Sequence, residues 1–122
     1  MKPLGDVPFQ KAELEDVIAQ ARAAPGGYAA EVLRSDLLSV GLYVLPEGGR
    51  DDQEPHAEDE VYYTVRGSAT FRVGVEEHAV EPGTLLYVPA GAVHFFHDIA
   101  DELILVVFWA PPEGSVETDR PA

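Results

Sequence analysis

The chain is 122 residues long, one domain's worth, and carries 22 acidic against 8 basic side chains for a net charge of −14. That balance speaks against nucleic acid and anionic membrane as partners, because both are held through an excess of Lys and Arg. It contains no cysteine, which excludes disulfides, thiolate metal sites and a cysteine nucleophile; no apolar run nears the roughly 20 residues that span a bilayer, and residues 1–10 lack a signal-peptide pattern, so a cytoplasmic location is expected.

Residues 1–9, with Pro3, Gly5 and Pro8, read as an irregular arm. Residues 10–24 read as one amphipathic helix. Leu14, Val17, Ile18 and Ala21 share a face, Glu13, Glu15 and Asp16 suit the positive end of the helix dipole, and Pro25-Gly26-Gly27 stops it. From Tyr28 the pattern is strand. Runs at 28–34, 37–45, 60–66, 69–75, 78–80, 84–88, 93–97 and 103–109 are separated mostly by Gly- or Pro-containing breaks, with turns expected at Ser35-Asp36 and Glu76-Glu77. About eight short strands so punctuated predict a sandwich or barrel. Leu103-Ile-Leu-Val-Val-Phe-Trp109 is apolar without alternation, so both its faces are expected to be buried. One would line the interior. The other needs cover, from the helix or from a second subunit.

Four histidines stand at 56, 78, 94 and 97. His94 ends the stretch Gly83-Thr-Leu-Leu-Tyr-Val-Pro89-Ala-Gly91-Ala-Val-His94. Gly supplies backbone angles that other residues avoid and Pro fixes φ, so two turns frame a crossing strand and deliver His94 onto the returning one. This segment resembles the second motif of the cupin superfamily at every fixed position up to His94, with Asp98 where the family pattern has asparagine. The stretch Gln53-Glu-Pro-His56-Ala-Glu-Asp-Glu60-Val-Tyr-Tyr-Thr-Val-Arg-Gly67 resembles the first motif in altered form. Its glutamate-to-glycine half is intact. Of its histidine pair, one spacing gives His56 for the second member and Glu54 for the first; the other puts Gln53 and Pro55 there.

The resemblance implies an all-β fold, the cupin double-stranded β-helix or jelly-roll barrel with one short N-terminal α-helix. Residues 1–27 would form the arm and helix, 28–110 the barrel and 111–122 a tail. It also implies one divalent metal ion in the lumen, held by His56, Glu60 and His94, with Glu54 or Gln53 completing the shell and Glu58 a further candidate. Strand parity agrees, since residues four apart face the same way, and a bulge near Pro55 would exchange Gln53 for Glu54. Two imidazoles and a carboxylate suit non-haem iron and related ions, so Fe, Mn, Ni, Co and Zn all stay open. Tyr62 shares parity with Glu60 and Phe96 with His94, so both are expected to wall a small-molecule pocket. Tyr63, Phe71 and Trp109 are expected in the core, His97 at the surface or behind the ligands, and His78 exposed. No nucleophile elbow, phosphate loop or Schiff-base lysine is recognisable. The expected function is a small-molecule metalloenzyme, leaning to dioxygenase chemistry. The alternatives are a non-catalytic binding module and a metal-free isomerase or epimerase. A homodimer is expected, since cupins commonly pair.

Overall fold

A computed structural model describes residues 9–25, 28–49, 51 and 57–115. One helix, α1 (Leu14–Ala23), precedes eight strands: β1 (Tyr28–Arg34), β2 (Ser39–Leu45), β3 (Asp59–Arg66), β4 (Ala69–Val73), β5 (Glu76–Val80), β6 (Leu85–Val88), β7 (His94–His97) and β8 (Leu103–Ala110). They form a five-stranded sheet ordered β1-β2-β8-β3-β6 and a three-stranded sheet ordered β5-β4-β7. Every pairing is antiparallel. The described pairings leave two sheets rather than a closed ring of hydrogen-bonded strands. Their inner faces share one core, in which Tyr43, Tyr62, Leu105, Val107 and Trp109 of the larger sheet meet Phe71, Val80 and Phe96 of the smaller.

Strand β8 is central and apolar on both sides, as its sequence predicts. Leu103, Leu105, Val107 and Trp109 face the shared core. Ile104 faces outward, where Val17, Ile18 and Ala21 of α1 cover it together with Leu42 and Val44. The helix is therefore docked on the outside of the larger sheet. Arg22 adds an ion pair to Glu102, and Arg66 one to Glu15. Phe108, further along the same outer face, remains 41% exposed.

Four local expectations need correction. The helix begins at Leu14, not at residue 10, because Glu13 is extended (φ −98°, ψ 126°) and the Gln10 side-chain amide bonds both backbone groups of Arg34, drawing the preceding segment along β1. The turn after β1 runs through Leu37 and Leu38, whose N–H groups donate to Ser35 Oγ at 3.2 and 3.3 Å, so β2 starts at Ser39. The β4–β5 turn is Gly74-Val75, not Glu76-Glu77. Val73 pairs with Glu76, and Gly74 at φ +58° fills the first central position of a two-residue hairpin, where glycine is favoured. Tyr63, expected in the core, is 42% exposed, because the pleat of β3 sends Glu60, Tyr62 and Thr64 inward and Tyr63 out.

Candidate metal centre

Two elements from opposite sheets build the site. In β3 the inward positions are Glu60, Tyr62 and Thr64, all 2% exposed or less. In β7 they are His94 and Phe96. The expected partners Glu60 and His94, 34 positions apart in the chain, thus meet inside the core, with His94 Nε2 3.3 Å from Glu60 Oε1. Tyr62 stands beside them. Its hydroxyl donates to Glu60 Oε2 at 2.8 Å and lies 3.0 Å from His94 Nε2. Phe96 is fully buried against Tyr62 and Phe71, at ring-centroid distances of 5.2 and 4.7 Å. Gln53, Glu54 and His56 lie outside the described residues.

The orientation of His94 follows from its other nitrogen. Nδ1 is 2.8 Å from the carbonyl oxygen of Ala92. A carbonyl only accepts, so Nδ1 carries a proton and donates it, and Nε2 is the nitrogen turned toward Glu60 and Tyr62. Burial alone would lower the affinity of this ring for a second proton. The hydrogen bonds to Glu60 and Ala92, with the charges of Glu60 and Asp51, outweigh it and hold the imidazole above its ordinary value. The Tyr62 phenol is pushed well up, first by burial and then by the charge of Glu60, so it stays protonated. Since its proton goes to Glu60, its oxygen is left to accept from Nε2–H.

A divalent ion fits this pair of donors. Nitrogen and oxygen ligands about 2.1 Å from one ion lie roughly 3–3.4 Å from each other, and the two atoms facing each other here are 3.3 Å apart. The bond from Nδ1 to a backbone carbonyl is the kind of outer contact that fixes the tautomer of metal-ligating histidines. Among the described residues no third His, Asp or Glu joins the pair to make a metal cluster.

Sequence reasoning missed one buried acid here and placed another differently. Asp51, 8% exposed, accepts the N–H of Phe96 at 2.9 Å. Its burial comes from docking on β7, which nothing in an acidic loop sequence announces. Glu58, weighed as a ligand, is 2% exposed and accepts the N–H of Gly114 at 3.0 Å, so one of its oxygens holds the segment after β8. His78 and His97 fall as expected. His78 is exposed beside Glu76, and His97 sits between Glu77 and Asp98 at 3.0 and 3.1 Å. Asp98 has φ 51°, a left-handed conformation that Asp and Asn both tolerate, so aspartate preserves the turn where the second motif has asparagine.

Comparison with known proteins agrees with this architecture. The model of the Cupin domain family matches residues 41–111. The chain is 46% identical over 99 residues to an uncharacterised protein of Streptomyces coelicolor, covering 81% of this chain and 94% of that one. It is similar to the crystal structure of TT1209 from Thermus thermophilus, at 32% identity and a TM-score of 0.70, covering 85% and 99% of the two chains. It is also similar to the DMSP lyase DddQ from Ruegeria pomeroyi, at 26% identity and a TM-score of 0.60, covering 69% of this chain and 42% of that one.

Proposed function

Because the chain belongs to the cupin family, we propose that it is a small-molecule metalloenzyme whose single divalent ion is held by Glu60 and His94 together with His56, with Glu54 or Gln53 completing the shell. The observation that supports this is the buried facing of His94 Nε2 and Glu60 Oε1 at 3.3 Å, with the tautomer set by Ala92. When bound, the ion supplies Lewis acidity and open positions for substrate or O2, the set from which the lean to dioxygenase chemistry comes. The chain's own contributions are distinct. Ala92 orients the imidazole, Tyr62 holds one oxygen of Glu60 so that the other faces His94, and Phe71 and Phe96 exclude water. On this reading Tyr62 and Phe96 wall the substrate pocket, and the chain works as a homodimer.

Metal analysis of purified, untagged protein tests the reading. Wild type is expected to carry about one equivalent per chain, His94→Ala none, and His56→Ala nearly none. Protein that binds none of Fe, Mn, Ni, Co or Zn would sink it. Turnover is then sought with enols, diketones, thiols, catechols and, given the likeness to a DMSP lyase, DMSP. A second reading rests on the same trio. Glu60, Tyr62 and His94 are already hydrogen-bonded to one another, as a metal-free acid–base set for an isomerase or epimerase would be. It predicts activity that survives chelation.

A further inference from the structure

The outer face of the larger sheet divides into two halves. One lies under α1. The other begins at Val106, which borders the α1 cluster, and its remaining residues are partly exposed, yet it is no more polar. The strand registers place Leu85, Tyr63 and Val106 side by side across β6, β3 and β8, and Tyr87, Val61 and Phe108 side by side in the next row. Six apolar or aromatic residues thus form a contiguous block, two rows by three strands. Antiparallel sheets with one solvated face normally alternate to polar residues there. Leu85 is 66% exposed, Tyr87 63%, Tyr63 42% and Phe108 41%.

We propose that this block is the surface through which two copies of the chain pair about a two-fold axis, sheet against sheet. The proposal deepens the homodimer reading above by naming its surface, and does not depend on the metal. Three features select a second copy. The six positions contain no charged side chain although the chain carries −14 overall, so a basic partner or nucleic acid would find nothing there to pair with. The block is a sheet face, and sheet faces pack on sheet faces about 10 Å apart with interdigitating side chains. At about 200 Å² per whole large side chain, the four exposed residues offer roughly 400 Å² per copy. Two copies would bury roughly 800 Å² from these alone, most of the ~1,000 Å² a specific interface needs before its rim is counted. A self-complementary patch crossed by a two-fold axis is the commonest way soluble chains assemble, and aromatic side chains are enriched where such interfaces are strongest.

Sedimentation velocity of the full chain at moderate salt, at tens of micromolar, is the test. Wild type is expected at twice the 13.2 kDa of one chain. Leu85→Glu and Phe108→Glu each place charge in the block and are expected to weaken pairing by about 100-fold or more, leaving monomers with wild-type circular dichroism. Val75→Glu is the control, since Val75 is 89% exposed but lies in the β4–β5 hairpin, and it is expected to stay dimeric. If a glutamate variant fails to fold, Tyr87→Ser takes its place. A monomeric wild type would overturn both the homodimer and this surface. A wild-type dimer that all block variants leave intact would overturn the surface and keep the homodimer.

Discussion

The carboxylate of Asp51 accepts the backbone N–H of Phe96 at 2.9 Å, two residues beyond His94. The bond crosses from the chain after β2 to the strand that carries the imidazole, and both groups are shielded from water. Removing the acceptor leaves a buried N–H without it. Asp51→Ala is therefore expected to cost about 1–3 kcal/mol, read as a lower urea midpoint at unchanged slope. If the ion is bound as proposed, its affinity should fall as well, because β7 loses a contact beside the ligand. A midpoint equal to wild type would mean that this bond adds nothing.

Tyr62 gives a second prediction. Its hydroxyl donates to the Glu60 carboxylate, which is 2% exposed. Tyr62→Phe keeps the ring packing against Phe71 and Phe96 and deletes that donor together with the acceptor facing His94 Nε2. A hydrogen bond to a charged acceptor contributes about 1.5–3 kcal/mol, so the variant should unfold at lower denaturant when stripped of metal. Loading each protein with metal should narrow the gap, since an ion would then take up charge on Glu60. A gap equally wide with and without metal would show that the phenol does not act at the proposed site.

The pairing of Glu60 with His94 was legible because motif spacing carries it. Fixed Gly and Pro positions deliver His94 to the start of β7, and the parity of β3 sends Glu60 and Tyr62 to one side. Features that depend on distant docking were not legible. Asp51 and Glu58 lie in an acidic stretch where charge reads as solvated surface, yet the fold buries both, bonded to β7 and to Gly114. Local chemistry misled at Glu76-Glu77, where two acids look like a turn although the neighbouring Gly74 provides it. The two-sided apolar character of β8 is legible in its lack of alternation, although Phe108 on its outer face stays 41% exposed. Which part of its outer face the helix would cover depended on where α1 begins and how it docks.

The helix-to-sheet ion pair has a pH signature. Arg22 donates to Glu102 through Nε at 3.1 Å and Nη2 at 2.5 Å. That hydrogen bond first, against a small cost of burial, holds the Glu102 carboxyl below its ordinary value. A carboxyl lowered in the folded state binds its proton more readily when unfolded, so its stabilisation is present above the unfolded value and lost as the pH falls. The stability difference between wild type and Glu102→Gln should therefore be constant from neutrality down to about pH 4.5 and close below it. Both side chains are well exposed, so the difference should be small and shrink with salt. Urea midpoints of the two proteins across that range provide the check; a gap that widens in acid would contradict the sign.

Glu102 also limits what the β3–β4 turn accepts. Gly67 has φ +88°, and a Cβ built there would sit 2.3 Å from the Glu102 carbonyl oxygen and 2.8 Å from the Leu103 Cα. These are backbone atoms at the start of β8, the central strand of the larger sheet, so they cannot swing aside as a flexible side chain would. Gly67→Ala combines left-handed strain, about 1 kcal/mol or more for a non-glycine residue, with displacement of β8. A total loss of at least about 3 kcal/mol is expected, which few single methyl additions reach. Gly114→Ala makes the comparison sharp. Its φ is +77° with open space around the added carbon, so it should cost only the backbone strain. Equal losses at the two positions would show that conformation alone, rather than contact with β8, sets the requirement for glycine at 67.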